Sequence, residues 1–205
     1  MVVVIDYQAG NIGSILNMLR KIGAPAKISE KPEDILQAEK LILPGVGAYD
    51  YGMTKLREAG LLPALQQRAI EEKTPILGIC LGAQLMCRRS EEGVLPGLGW
   101  IEADVRRFPP VVEDRRYPVP HMGWDVVNVV KPSRLTTQWP EESRFYFVHS
   151  YHIQCDHADD VLMENSYGVK FHSAFERDNI IGVQFHPEKS HKFGKRLLEN
   201  FINLY

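Results

Sequence analysis

The chain has 205 residues, of which 44% are hydrophobic and 24% are charged, and its formal net charge is -2. This composition predicts one soluble domain with a substantial core, spanning residues 1–205. The nearly balanced charge argues against a basic nucleic-acid-binding surface and against an acidic disordered tract. No apolar run approaches the length of a membrane span.

The amino terminus and the cysteines predict the cellular compartment. The segment Met1–Asp6 has no basic residues ahead of its apolar run, so it predicts a first strand and not a signal peptide. Cys80, Cys87 and Cys155 are odd in number and widely separated. We therefore expect a reducing, cytoplasmic setting.

Strands and helices alternate over the first 90 residues. Continuous apolar runs predict strands at Val2–Asp6, Ala26–Ser29, Lys40–Leu43 and Ile76–Ile79. Helical spacing predicts helices at Ile12–Ile22 (ended by Gly23), Pro32–Ala38 and Leu61–Glu72. Apolar strands between helices are typical of a parallel sheet that is covered on both faces.

After about Gly93 the pattern is mainly that of strands. We predict them at Trp100–Phe108, Trp124–Val130, Phe145–Gln154, Val169–Phe175 and Ile180–Phe185, before a closing amphipathic helix at Phe193–Ile202. No linker separates the two halves, so these strands should extend the first sheet. The predicted fold class is α/β: an open, mostly parallel sheet with helices on both faces and added antiparallel strands in the second half.

The segment around Cys80 carries the clearest chemical signal. An apolar run ends in Gly78-Ile79-Cys80-Leu81-Gly82 and passes into a helical pattern, which is the layout of a nucleophile elbow with Cys in place of Ser. The following helix would place its N-terminal dipole near the sulfur and favour the thiolate. A lone buried Cys is usually an inert small hydrophobe, and Cys87 fits that description. The elbow favours catalysis at Cys80.

A cysteine nucleophile needs a base, and the base needs an orienting group. His186-Pro187-Glu188 follows a predicted strand, with a carboxylate two residues beyond the imidazole. Such a tripeptide on its own is more often a turn with a capping carboxylate. Together with Cys80 it predicts a triad, in which His186 is the general base and then acid, and Glu188 orients the imidazole.

Three unusual loops follow strand ends, where open parallel sheets bind their ligands. They are Asp6–Asn11, Pro44–Ala48 and the Cys80 elbow, and we expect them to line one edge. Acyl transfer also needs an oxyanion hole, for which backbone N–H groups are suitable donors. We predict donors from Leu81 and from Gly45-Val46-Gly47, although the latter could also be an ordinary glycine-rich turn.

A metal site is the alternative use of the histidines near residue 150. His149, His152, Cys155 and His157 are close in sequence, but their spacing is not that of a zinc finger. If one strand carries them, His149 and His152 point to opposite faces. We therefore expect no metal and no other cofactor.

Taken together, these motifs resemble the class-I, or triad, glutamine amidotransferases, and the fold predicted above is similar to theirs. Gly78–Gln84 matches the family's Gly-x-Cys-x-Gly-x-Gln motif, and His186–Glu188 matches its His-Pro-Glu motif. Further segments resemble the glutaminase subunit of imidazole glycerol phosphate synthase. These segments are Leu43–Ala48, Pro120–Trp124, Tyr146–Tyr151 and Gly182–Ser190. The resemblance runs from Asp6 to the end of the chain.

The resemblance implies glutamine hydrolysis through a thioester at Cys80. It also implies that the ammonia passes to a partner cyclase with a (βα)8-barrel fold, in a heterodimer that makes imidazole glycerol phosphate and an aminoimidazole carboxamide ribonucleotide in histidine biosynthesis. By motif position, glutamine would be held by Gln84, Glu92, His149, Ser150 and Tyr151. The expected partner-facing residues are Asn11, Trp124, Asp125, Tyr146 and Lys189.

Two departures from the resembled sequence leave the ammonia acceptor open. The first loop reads Asp6-Tyr7-Gln8-Ala9-Gly10-Asn11 where the relatives have Asp-Tyr-Gly-x-Gly-Asn, and Asp125 replaces an Asn that follows Gly-Trp. Some bacteria carry a second copy of this subunit in surface-polysaccharide gene clusters, where the ammonia is thought to amidate a sugar carboxylate. That paralogue is the alternative within the family.

Two alternatives belong to other classes. A cysteine hydrolase or peptidase on the same scaffold would use the same triad, although Gln84 and His149-Ser150-Tyr151 favour a small amino-acid substrate. A non-catalytic scaffold subunit would be marked by a broken triad, and all three triad residues are present here.

Overall fold

The computed structural model of the chain describes residues 1–205. Strands in its first half are β1 (Val2–Ile5), β2 (Ala26–Ser29), β3 (Lys40–Gly45) and β4 (Ile76–Cys80). The helices between and after them are α1 (Ile12–Lys21), α2 (Pro32–Leu36), α3 (Tyr49–Glu58), α4 (Leu62–Gln66) and α5 (Leu81–Leu85). A π-helical turn, Gln67–Glu71, continues α4.

The second half is mostly strand. Its short strands are β5 (Arg89–Ser90), β6 (Ala103–Arg107), β7 (Val111–Val112), β8 (Arg115–Arg116), β9 (His121–Val126) and β10 (Asn128–Val129). The remaining strands are β11 (Arg144–His149), β12 (Tyr151–Cys155), β13 (Val161–Tyr167), β14 (Val169–Arg177) and β15 (Ile180–Val183). Helix α6 (His191–Leu204) closes the chain. None of the helices combines the length and apolar character needed to cross a bilayer.

One eleven-stranded sheet joins the two halves. Its main order is β2-β1-β3-β4-β15-β14-β12-β6-β5, with β13 paired to β14 and β10 paired to β13. Strands β2, β1, β3, β4 and β15 are parallel, whereas β14 runs antiparallel to β15. This is the predicted α/β class, with antiparallel strands added by the second half. Because Val183 pairs with Ile79, the chain leaves β15 beside Cys80.

Both faces of the parallel region are buried. Along β1, Val3 and Ile5 belong to one apolar cluster, and Val2 and Val4 belong to the other. This alternation follows from the two-residue period of a strand. Helices α1 and α6 cover the second face, whereas α3, α4 and α5 cover the first. The sheet is therefore held rigid where its carboxyl ends carry the loops of interest.

Two predicted strands are wrong. Trp124–Val130 divides at Val127 into β9, which pairs with β11, and β10, which joins the main sheet through β13. Phe145–Gln154 is not continuous: it breaks at Ser150 into β11, which pairs with β9 in a separate two-stranded sheet, and β12, which joins the main sheet. The prediction that His149 and His152 point to opposite faces of one strand fails for the same reason, because both imidazoles pack against Phe108. An unbroken run of strand-forming residues conceals such a change of sheet.

Sequence reasoning also missed several elements. Helix α3 begins directly after the Pro44–Ala48 loop, and β13 and the β7–β8 hairpin lie between predicted strands. The buried positions of α3 keep helical spacing, but one of them is Gly52, a poor helix former without an apolar side chain, so the sequence signal is weak. The other predicted strands and helices are present, with ends shifted by a few residues.

Candidate active site

Cys80 lies at a sharp turn between β4 and α5. Its φ of 54° is in the left-handed region, which is unusual for a residue with a side chain. A Cβ at Gly82 would lie 1.8 Å from the Leu43 carbonyl oxygen, and one at Gly78 would lie 2.8 Å from Ala83 Cα. Glycine on both sides therefore lets the backbone turn within close packing, and the turn has the geometry of a nucleophile elbow.

His186 and Glu188 form a buried pair beside the elbow. His186 Nδ1 lies 2.7 Å from Glu188 Oε1, and both side chains are only 2% exposed. The backbone of His186 is held by its N–H, which donates to the Tyr146 carbonyl, and by its carbonyl, which accepts from Ser190 Oγ. Ser190 Oγ also accepts from the Tyr146 N–H at 3.0 Å. Hydrogen bonds to the ring and to the backbone of His186 thus fix the position of its imidazole.

The second ring nitrogen of His186, Nε2, is free to take part in proton transfer. Nε2 is buried and completes no hydrogen bond of ordinary geometry. Burial lowers the pKa of His186, but the neighbouring Cys80 sulfur and Glu188 carboxylate outweigh burial and raise the pKa to about 9. An imidazole in these surroundings can hold a proton taken from the sulfur.

A cleft of about 380 Å³ opens over these groups. The predicted substrate-binding residues that line it are Val46, Gly47, Leu81, Gln84, Glu92, His149, Ser150 and Tyr151. Pro120 and Val148 also line it and were not predicted, and Lys189 lies here although it was predicted as a partner contact. The break between β11 and β12 is what brings the residue 148–151 segment into the wall.

Gly45 lies behind the cleft and not in its lining. A Cβ there would lie 2.5 Å from Tyr7 Oη and 2.8 Å from the Gly82 nitrogen, so only glycine lets β3 pass this close to the elbow. The next residue, Val46, donates its N–H to the Ala9 carbonyl at 2.9 Å and does not offer it to the cleft. Gly47, with φ of 101°, has a backbone conformation that favours glycine and permits rotation of the adjoining peptide.

The first loop supports the site from behind. Tyr7 Oη donates to the Pro44 carbonyl at 2.6 Å, and the Ala9 carbonyl holds Val46. Asp6, Tyr7 and Gln8 line a separate cavity. Of the three loops expected at one edge, two line the cleft and the Asp6–Asn11 loop braces them.

Gln84 and Gln184 form a buried amide pair. Gln84 Nε2 donates to the Tyr151 carbonyl at 3.1 Å and to Gln184 Oε1 at 3.0 Å, and Gln184 Nε2 lies 3.8 Å from Cys80 Sγ. Sequence reasoning missed Gln184. Its local signal was its position two residues before His186, and its contact with Cys80 follows from the pairing of β15 with β4.

Glu92 lines the same cleft as His186. Its Oε2 accepts from the Tyr49 N–H at 2.9 Å, which ties it to the start of α3. Burial raises the pKa of the Glu92 carboxyl, against that hydrogen bond. The group is well placed to accept from a ligand's ammonium.

A histidine cluster, His121, His149 and His152, packs with Phe108, and its member His149 also lines the cleft. His121 Nδ1 lies 3.1 Å from His149 Nε2, and His149 Nδ1 lies 2.8 Å from the Tyr151 carbonyl. Burial lowers the pKa of His149 to about 3 and that of His152 to about 4. No three His, Cys, Asp or Glu side chains converge as a metal ion requires. The cluster is an uncharged, aromatic-lined wall.

Four predicted partner contacts lie outside the cleft. Trp124 is 45% exposed, stacks on His191 at 5.5 Å and lies opposite Tyr146 in the β9–β11 pair. Asp125 accepts from Asn165 Nδ2 at 3.0 Å, and the exposed Asn11 begins α1. Lys189 Nζ lies 5.7 Å from the Tyr146 ring, which joins this surface to the cleft.

Comparison with known proteins agrees with this geometry. The glutamine amidotransferase class-I family model matches residues 3–204. The chain is 53% identical over 204 residues to imidazole glycerol phosphate synthase subunit HisH 2 of Pseudomonas aeruginosa, covering 100% of both chains. It is 52% identical over 202 residues to the subunit of the same name from Methanococcus maripaludis, covering 98% of both.

Solved structures share the fold at lower identity. A crystal structure of a glutamine amidotransferase superposes with a TM-score of 0.75 at 20% identity, covering 100% of this chain and 98% of the other. The structure of PurLQS from Thermotoga maritima also gives 0.75, at 19% identity, with 98% of this chain and 97% of the other covered. The family-model match over residues 3–204 and the relatives at 53% and 52% identity show that the chain belongs to the class-I glutamine amidotransferase family.

Proposed function

We propose that the chain is the glutaminase subunit of imidazole glycerol phosphate synthase, in which Cys80, His186 and Glu188 hydrolyse glutamine. His186 Nε2 takes the thiol proton, and Cys80 Sγ attacks the side-chain amide carbon. The tetrahedral intermediate collapses to a γ-glutamyl thioester while His186 returns the proton to the departing ammonia. Water, deprotonated by His186, then releases glutamate and restores the thiol.

The observation that carries this proposal is the buried Nδ1–Oε1 contact of 2.7 Å between His186 and Glu188 at the elbow that bears Cys80. A structural histidine does not need a buried carboxylate on one nitrogen and a free second nitrogen facing a thiol. The cleft adds selectivity, because Glu92 and the residue 149–151 segment offer partners for an amino acid's ammonium and carboxylate.

The two N–H groups expected to form the oxyanion hole differ in availability, and this difference supports control of glutamine hydrolysis by the partner. Leu81 N–H is the first N–H of α5 and can serve directly. The Val46 N–H is engaged by Ala9, so it becomes available only if that hydrogen bond is exchanged. Gly47 gives the adjoining peptide the freedom to rotate. Partner or acceptor binding would favour the rotated state and so prevent glutamine from being hydrolysed without use of its ammonia.

The partner in this proposal is a (βα)8-barrel cyclase, which takes the ammonia and forms imidazole glycerol phosphate and an aminoimidazole carboxamide ribonucleotide. The two most similar relatives described above carry the name of the synthase subunit. The face around Trp124, Tyr146 and Lys189 borders the cleft and exposes apolar area. We place the reaction in the cytoplasm, in line with three free cysteines, and in one domain over residues 1–205, in line with the continuous sheet.

A second candidate acceptor, a sugar carboxylate activated for amidation, has one observation in its favour. Asp125 puts a carboxylate on the proposed docking face, 3.0 Å from Asn165 and 3.9 Å from His121, where the resembled sequence has a neutral amide. That charge would select a different partner surface without altering the triad.

The test is glutaminase assay of the chain, alone and with the cyclase from the same genome, for wild type and Cys80→Ser. We expect the partner with its ribonucleotide to stimulate ammonia release, and Cys80→Ser to lower it by at least ~1000-fold. Cleavage of peptides but not glutamine would instead indicate the hydrolase alternative. Release that is insensitive to the cyclase would contradict the pathway, and full activity of Cys80→Ser would contradict the mechanism.

A further inference from the structure

We propose that Gln184 is a positioning residue that donates a hydrogen bond from Nε2 to Cys80 Sγ, stabilises the thiolate and holds it toward His186. This inference rests on the proposed role of Cys80 as nucleophile. It adds a group that the triad does not include.

Gln184 reaches the sulfur because of its place in the chain. Val183 of β15 pairs with Ile79 of β4, so the residues that follow them, Gln184 and Cys80, are neighbours at the ends of adjacent strands. The Gln184 side chain is fully buried, and its backbone N–H donates to the Ser173 carbonyl at 2.8 Å. Its amide is therefore placed by the sheet.

The direction of the Gln184 amide follows from its partners. The Tyr151 carbonyl can only accept, so the Gln84 atom facing it must be the NH2 group. That same group lies 3.0 Å from Gln184, whose facing atom must then be the carbonyl oxygen. The Gln184 NH2 group is left pointing at Cys80 Sγ, 3.8 Å away. The Tyr151 carbonyl thus fixes the orientation of both amides, so that Cys80 Sγ faces the NH2 group of Gln184.

The other ionisable groups around Cys80 Sγ differ in the charge that they carry. His186 faces it from the end of β15 and supplies positive charge when protonated. Tyr7 faces it from the loop after β1, and burial followed by the repulsion from Cys80 raises the Tyr7 pKa, so its hydroxyl stays neutral. Lys189, Glu92 and His149 share the cleft lining with Cys80. Gln184 is the uncharged donor of this set, and its contribution does not vanish when His186 loses its proton.

The test is the pH dependence of Cys80 alkylation by iodoacetamide, read by peptide mass spectrometry. Gln184→Met retains length without a donor, and Gln184→Glu retains shape while replacing the donor by an acceptor. We expect both to move the half-maximal alkylation pH upward, by about one unit for Met and by more for Glu. Cys87 and Cys155 are buried thiols with raised pKa values, so they serve as internal references.

The matched control is Gln37→Met, at an exposed glutamine after α2, which should keep the wild-type profile. In glutaminase assays with the partner present, the Gln184 variants should lose roughly tenfold in kcat with little change in KM. If either folded variant keeps the wild-type alkylation midpoint, Gln184 only fills space and the inference is wrong. Cys80→Ser separates the two claims, because retained glutaminase activity there contradicts the nucleophile itself.

Discussion

Two histidine sites lie close together and have opposite electrostatics. At the elbow, His186 meets a carboxylate and a sulfur, and its pKa is raised to about 9. In the neighbouring cluster, His149 and His152 are surrounded by Phe108 and Phe171, and their pKa values fall to about 3 and about 4. Burial is common to both sites. Charge partners alone separate an imidazole that can hold a proton from one that stays neutral.

The difference also concerns hydrogen bonding. His186 gives one nitrogen to Glu188 and keeps the other free, whereas His149 is bonded on both nitrogens, to His121 and to the Tyr151 carbonyl. A free nitrogen facing a thiol is a reactive arrangement, and a fully bonded ring is a structural one. We therefore expect substitutions at the elbow to change the reaction rate and substitutions in the cluster to change the stability.

Replacing the base should have the largest effect. His186→Asn removes the proton acceptor for Cys80, so we expect glutamine hydrolysis by the complex to fall by at least ~1000-fold. The control His157→Asn changes an exposed imidazole that pairs with Glu102 at the surface and should leave the rate within twofold. Measured ammonia release that falls equally in both variants would show that the loss is not specific to the elbow.

Removing the orienting charge should come next. Glu188→Gln keeps the size of the side chain but loses the carboxylate that accepts from Nδ1, so the imidazolium is less stabilised and roughly 100- to 1000-fold in kcat is lost. Glu71→Gln, at an exposed glutamate, is the matched control. Steady-state kinetics decide the matter: a KM effect with unchanged kcat would mean that Glu188 acts on substrate binding instead.

The neutral cluster should make the protein sensitive to acid. An unfolded histidine protonates near pH 6.5, but His149 and His152 resist protonation in the fold, so the unfolded state binds more protons below that pH. Their contribution to stability is complete above about pH 6.5 and declines as pH falls toward 4. Between pH 7 and pH 5 we expect a loss of roughly 2 kcal/mol for each of the two.

Urea unfolding at the two pH values measures this loss in wild type and in His152→Leu. The variant should lose roughly 2 kcal/mol less between pH 7 and pH 5 than wild type does. Equal losses in the two proteins would mean that His152 is not held neutral by the fold.

The smallest effect is expected at Ser190, which supports His186 only through the backbone. Ser190→Ala removes the hydroxyl between the His186 carbonyl and the Tyr146 N–H, at a cost of about 1–2 kcal/mol in unfolding free energy. The reaction rate should fall less than tenfold. Ser166→Ala, at an exposed position, is the control. If Ser190→Ala lowers the unfolding free energy no more than Ser166→Ala does, the Ser190 hydroxyl does not support His186.

The sequence predicted the elbow well because its signal is local. Gly78, Cys80 and Gly82 are required by one turn, and the strand that carries them is part of a parallel sheet with a regular pattern. His186 and Glu188 were predicted from chemistry and neighbouring strand ends, and the in-register pairing of β15 with β4 is what places them at Cys80.

The histidine cluster and Gln184 needed the structure. Nothing in the run Phe145–Gln154 marks Ser150 as the point where the chain passes from one sheet to another, so His149 and His152 were assigned to opposite faces. Gln184 depends on contacts across 100 residues to Gln84 and 104 to Cys80, which no local pattern encodes. The engagement of the Val46 N–H by Ala9 also joins residues that are distant in sequence.

Labelling with a diazoketone or chloroketone analogue of glutamine shows whether Cys80 is the sulfur that attacks the substrate. After incubation with the complex, peptide mass spectrometry should find one adduct, on Cys80, and excess glutamine should prevent it. An adduct on Cys87 or Cys155, or none at all under conditions where ammonia is released, would contradict the account.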